Sequence, residues 1–325
     1  MANELMIKTI TYKYPEQIPA SVGILPATFI KYGDKIKKLL VRYEDLVGSW
    51  YLDYDPDRDM PEWHRKGQYT DGWGCGWSNA SEGFWSIVTG HPVKTREDIH
   101  TMKIPENDEG LPHGFMYLRL LDLRGFEEAM IDFFEEPPEL QMLIDKVLNY
   151  NIRQTKLMLE HNKDKIVYFG DDLGMQTGLT IGAEKWRKYL KPCFAQIFKL
   201  CKDDNRLVYM HTDGNICEIM HDLIECGVDM INIEYRSMGL DHIEKICKGK
   251  IPIDLYLEQQ LFPFGTPDDM RKHVEETVKR LYLPEGGFAM KLEISPEIPL
   301  ENIEALLDAV NEYRFYKGKQ NDNDI

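Results

Sequence analysis

The stretch that decides the fold is Arg206-Leu-Val-Tyr-Met-His211, then Thr212-Asp-Gly-Asn215, then Ile216 to Cys226. An apolar, β-branched and aromatic run ends on polar groups, a Gly-containing turn follows, and a helical segment comes next. The pattern predicts strand, loop and helix. The same unit recurs on both sides. Upstream, Lys165-Ile-Val-Tyr-Phe-Gly170 predicts a strand, followed by a helix around Trp186, Tyr189, Leu190, Ile197 and Leu200. Downstream come the strands Asp229 to Tyr235 and Ile251 to Tyr256. Thr266-Pro-Asp-Asp then opens a helix: Thr caps it, Pro occupies the first turn, and the acids face the positive dipole end. Val274, Val278 and Leu281 line its apolar side. The last unit is a strand Gly287 to Ile294 and a helix from about Leu300 through Leu307 and Val310. A polar tail, Lys317 to Ile325, is expected to fray.

Repeated strand–helix units of this spacing imply a parallel sheet with right-handed crossovers. No Gly-rich phosphate loop follows any strand, which weakens an open dinucleotide-binding sheet and favours a (β/α)8 barrel. Helices are expected over Gly125 to Phe134 and over Pro138 to Glu160, the latter burying Leu140, Leu143, Ile144, Val147 and Leu148. Residues before about Leu120 are irregular and rich in aromatics and glycine. The expectation is one α/β domain over 1–325, a distorted (β/α)8 TIM barrel with an N-terminal helix and loop extension within about 1–120.

The chain has 325 residues, 39 Lys+Arg against 55 Asp+Glu, and a net charge of −16. Such a charge repels nucleic-acid phosphates and anionic membrane surfaces. Neither partner is expected, and no apolar run is long enough to span a bilayer. The N-terminus lacks a signal h-region. Cys75, Cys193, Cys201, Cys217, Cys226 and Cys247 form no CxxC, so a reduced, cytoplasmic protein is expected.

In a barrel, chemistry sits where strands run into the following loops. Those positions read Asp171-Asp172, His211 with Asp213, Glu234, Asp254 or Glu258, and Glu293. Bland readings stand beside each. Asp171 and Asp172 can cap a helix or pair with an arginine. His211 can be a hydrogen-bonded core residue, although His-x-Asp places two side chains on one strand face. Glu234 is as good a salt-bridge partner as a ligand, and Cys75 between Trp73 and Trp77 reads as packing.

Five segments together resemble the uroporphyrinogen decarboxylase superfamily, which includes corrinoid-dependent methyltransferases. They are Tyr69 to Trp77, Arg124-Gly-Phe-Glu-Glu, Phe169-Gly-Asp-Asp-Leu-Gly-Met-Gln176 with Lys191-Pro192, His211 to Asn215 leading into Leu223 to Asp229, and Gly286-Gly-Phe running to Ile303. The resemblance spans roughly 12–314. It departs from true uroporphyrinogen decarboxylases, which carry an Arg-Gln-Ala-Gly-Arg type segment and a strand-end His near position 292, where this chain has Lys291-Leu-Glu293. The methyltransferase branch binds zinc through His-x-Cys and a later Cys. Here the first Cys is replaced by Asp213, and the later one falls at Leu292, one residue from Glu293.

The resemblance therefore implies an oxygen-rich zinc site of His211, Asp213, Glu234 and Glu293, with Asp254 in reserve. Zinc held this way is a harder Lewis acid than a thiolate site. The function it implies is transfer of a methyl group from an O-methyl substrate, such as a methoxylated aromatic, to a separate corrinoid protein, since no Asp-x-His-x-x-Gly corrinoid signature occurs. Asp171, Asp172 and His211 are the candidate catalytic residues. Trp73, Trp77, Gln176 and Asn215 are candidates for substrate contact, although such tryptophans equally pack an extension. Two alternatives stay open: a metal-independent decarboxylase or lyase with Arg119, Arg124 or Arg236 as anchors, and a non-catalytic barrel that binds a corrinoid protein.

Overall fold

A computed structural model describes residues 2–106 and 110–318. Of the tail expected to fray, 319–325 lie outside the described residues. The chain divides into two compact units, both discontinuous in sequence. The first comprises 1–66, 79–85 and 234–325; the second comprises 67–78 and 86–233.

In the second unit, strands Ile166–Gly170, Leu207–His211 and Met230–Glu234 pair in parallel, the last ending at the unit boundary. Each expected strand is present, trimmed by one residue at its start, and the third by one at its end as well. Helix Pro138–His161 buries Leu140, Leu143, Ile144, Val147 and Leu148, the face expected from their spacing. Helix Lys191–Asp203 presses Phe194 and Phe198 onto the sheet. Phe194 stands 5.4 Å from Phe115, and Phe198 stands 5.0 Å from Phe169, ring centre to centre. Each such ring removed from water contributes roughly 1.5–3 kcal/mol. A π-helical turn, Trp186–Leu190, leads into this helix, with Pro192 in the first turn where no amide is needed.

One element is shorter than its pattern suggests. The apolar segment Ile216 to Cys226 is helical only over Met220–Glu225. Asn215 explains this: its side-chain Oδ1 accepts the Cys217 amide at 3.1 Å, an Asx turn that competes with the first helical turn.

In the first unit, Ala20–Ile24 pairs in parallel with Phe288–Ile294, which pairs in parallel with Ile253–Tyr256. Helix Pro267–Leu281 starts as expected: Thr266 and Asp269 form a reciprocal capping box. Helix Leu300–Tyr313 packs against it with Ile303, Leu306, Leu307 and Val310 buried. All six cysteines are unbridged, and burial pushes the Cys75, Cys193 and Cys201 thiols up to about 12. Among the described residues no helix is long and apolar enough to cross a membrane.

Candidate metal centre

Parallel pairing sets Gly170 opposite His211, so the loops after these two strands emerge side by side. They are clasped together. The Asp171 amide donates to the His211 carbonyl at 3.0 Å, and the Leu173 amide to the Thr212 hydroxyl at 3.0 Å. The Gly174 amide donates to the Asp213 carbonyl at 3.1 Å, and the Asn215 amide to the Met175 carbonyl at 2.8 Å. Contact this close needs two glycines. A Cβ on Gly214, whose φ is +82°, would lie 2.2 Å from the Gly174 carbonyl carbon; one on Gly174 would lie 2.6 Å from the Asn215 nitrogen.

The clasp fixes Asp172 beside His211 and Asp213. Asp172 Oδ1 accepts the Asp213 amide at 3.1 Å and stands 3.7 Å from His211 Nε2. Asp213 Oδ1 stands 3.4 Å from the same nitrogen. His211 Nδ1 donates to Asn232 Oδ1 at 2.7 Å, which turns Nε2 toward the two carboxylates. Asn232 is fully buried, which holds the ring in place.

A residue the sequence reading missed completes the group. His113 lies in the loop before helix Tyr117–Arg124, tied to the strand end by the Gly114 amide donating to the Gly170 carbonyl at 2.7 Å. Its Nε2 is 3.0 Å from Asp172 Oδ2. Gly170 makes room for it, since a Cβ there would fall 2.5 Å from His113 Nδ1. One ligand atom from each of His113, Asp172 and His211 lies within 4.8 Å of the others. Burial alone would raise the Asp172 carboxyl, but the His113 hydrogen bond and both imidazole charges hold it below the usual range. Burial opposes protonation of His113, yet the bond to Asp172 and the charges of Asp172, Asp171 and Asp213 raise its pKa overall.

Asp171 points elsewhere. It is fully buried, and its two oxygens accept the amides of Tyr117 and Leu118 at the start of helix Tyr117–Arg124. Burial pushes its carboxyl up to about 7 against the pull of those amides, with the Asp172 charge adding to the rise.

The substrate-contact candidates are engaged in packing or exposed. Trp73 is buried, edge-on to Tyr150 at 4.8 Å. The Trp77 indole donates to Asp71 Oδ2 at 3.1 Å and stacks on Tyr69. Gln176 is exposed at the tip of the hairpin Gly174–Met175 and Gly178–Leu179, and Asn215 makes the Asx turn described above. Arg119 is buried against Asp71 at 2.8 Å; Arg124 donates to Asp132, Glu128 and the Lys94 carbonyl. Glu234, Arg236 and Glu293 belong to the first unit. There Arg236 pairs with Glu258 at 2.9 Å, and Asp254 sits buried in mid-strand rather than at a strand end. Glu293 shares a strand face with Lys291 and is on the face opposite the buried Leu292. Burial raises its carboxyl, with the Lys291 charge pulling it back.

The uroporphyrinogen decarboxylase (URO-D) family model matches residues 116–313, and the chain belongs to that family. A solved methyltransferase from Methanosarcina mazei shares the fold at 16% identity, covering 96% of this chain and 98% of that one with a TM-score of 0.63. A dihydropteroate synthase from Xanthomonas albilineans overlaps only partially: 12% identity, 49% and 57% coverage, TM-score 0.34. No curated protein matches the chain. Family and fold together assign the α/β, distorted-barrel class expected from the sequence.

Proposed function

We propose that this chain is a metal-dependent methyltransferase that moves a methyl group from an O-methyl, methoxylated substrate to a separate corrinoid protein. The observation that carries this reading is the clustering of one ligand atom each from His113, Asp172 and His211 within 4.8 Å, beside the ends of two parallel strands. It is supported by the fold shared with the Methanosarcina mazei methyltransferase.

The donor set fits zinc. Two imidazole nitrogens and one carboxylate make a three-ligand site of the kind that leaves a coordination position open to substrate. The buried Asn232 orients His211 through its far nitrogen, as an outer partner of a metal-bound histidine does. Zinc held here would supply a Lewis acid able to polarise the oxygen that loses its methyl group. This replaces the expected set in part: His211 stays, Asp172 and His113 join it, and Asp213 at 3.4 Å becomes the neighbouring carboxylate. Glu234 and Glu293 are not needed as ligands.

The chain's own groups then divide the work. Asn232 holds His211 in the tautomer that presents Nε2. Asp172, bonded by His113 at one oxygen and by the Asp213 amide at the other, serves as the ligand carboxylate rather than the proton carrier. Asp213 is half-exposed and is the group placed to take or give a proton at the substrate oxygen through water. Asp171 holds the helix start that carries the His113 loop.

The decarboxylase reading needs free cations. Arg119, Arg124 and Arg236 are each committed to carboxylates, which speaks against it. Metal analysis of chelator-free protein is the deciding test. One zinc per chain is expected, lost in His211→Ala and in Asp172→Ala. A metal-free protein that still binds a corrinoid protein would support the non-catalytic barrel. Demethylation of a methoxyarene is expected only with a reduced corrinoid protein added, and turnover by this chain alone would contradict the partner requirement.

A further inference from the structure

Strand Phe288–Ile294 is buried over its first three residues and alternates from Met290 onward. Met290, Leu292 and Ile294 are buried on one face, and Lys291 and Glu293 are part-buried on the other. Cα partners across the parallel register fill the same face: Ser21 and Tyr256 flank Lys291, and Gly23 lies beside Glu293. Lys291 Nζ rests 4.8 Å from the centre of the Tyr256 ring. Neither the Lys291 nor the Glu293 side chain makes a hydrogen bond or ion pair with any described residue, including each other.

Two opposite charges partly withdrawn from water, the cation resting on a ring and the anion without a hydrogen bond, leave polar capacity that a ligand can satisfy. They stand two residues apart on one strand, about 6.6 Å between Cα atoms. At that spacing they present a cation and an anion side by side to one small molecule. Gly23, the register partner of Glu293, puts no side chain beside it. The ring of Tyr256 supplies an apolar wall.

We propose that this face of the first unit is a binding site for a small zwitterion, with the ligand carboxylate at Lys291 and its ammonium at Glu293. The assignment uses only residues of the first unit and does not rest on the metal centre. Ser21, exposed next to Lys291, adds a hydroxyl donor to the carboxylate end.

The test titrates full-length protein with three isosteres: β-alanine, butyrate without the ammonium, and butylammonium without the carboxylate. Line-broadening or saturation-transfer NMR of the small molecule reads the affinity. β-Alanine is expected to bind at least tenfold more tightly than either single-charge analogue. Lys291→Met and Glu293→Gln are each expected to remove that advantage, and the charge-reversed double variant K291E/E293K is expected to restore it. Equal binding before and after metal removal by chelation is expected, which separates this site from the proposed zinc. β-Alanine binding no tighter than butyrate, or unchanged in Lys291→Met, overturns the proposal. The double variant K291M/E293Q should melt at or above the wild-type temperature, since two part-buried charges are gone. A large fall in its melting temperature would mean the pair is structural, and would also overturn it.

Discussion

Gly170 controls the geometry of the candidate centre at the scale of one hydrogen atom. Replacing that hydrogen by a methyl group sets a Cβ 2.5 Å from His113 Nδ1, and the half-exposed imidazole is the softer party. Gly170→Ala is therefore expected to swing His113 out of reach of Asp172 while leaving the strand paired. Loss of one ligand's placement costs roughly 10–100-fold in metal affinity. Isothermal titration with zinc checks it; an unchanged affinity would remove His113 from the site. Asn232→Leu is expected to weaken metal binding by a similar factor, because His211 then loses the bond that fixes its tautomer. His211, Asp172 and Asp213 were legible in sequence because strand register brings consecutive strand ends together. His113 was not. It lies in an irregular loop 59 residues before Asp172, and its placement depends on a backbone bond from Gly114 and the missing side chain of Gly170.

Between elements, the two loops of the second unit act as one piece. Both glycines of the clasp lie in motifs that read as family signature, Gly174 in Phe169 to Gln176 and Gly214 in His211 to Asn215. Their physical reason is backbone meeting backbone. Gly214→Ala cannot be absorbed by a flexible side chain, and a positive φ adds to the strain. It is expected to destabilise by about 3 kcal/mol or more, read from urea unfolding. Thr266→Ala, which removes half of a capping box, should cost only about 1 kcal/mol. The cap of Pro267–Leu281 was readable from Thr-Pro-Asp-Asp because capping is local chemistry. The late start of helix Met220–Glu225 was not, because an Asx turn and an apolar helical pattern compete over the same residues.

At the scale of the molecule, acid tolerance is set by a buried histidine as well as by carboxylates. His273 is 8% exposed and accepts the Glu258 amide at Nε2, 3.0 Å away; burial lowers its pKa to about 4. The unfolded chain takes up that proton near pH 6.5. Between those values the unfolded state binds more protons than the folded one, so stability falls as pH falls. The loss reaches about 3 kcal/mol by pH 4. His273→Asn is expected to flatten the slope of stability against pH over that window, and a slope identical to wild type would exclude His273 as its source. The alternation of strands and helices announced the fold class, but not the division of the chain into two units, because each is assembled from separated segments. That assembly bears on how the protein emerges from the ribosome. Ala20–Ile24 pairs with Phe288–Ile294, about 270 residues later. Its amides must wait through most of translation before the strand they bond to exists, while Ile166–Gly170, Leu207–His211 and Met230–Glu234 can join within one stretch of nascent chain.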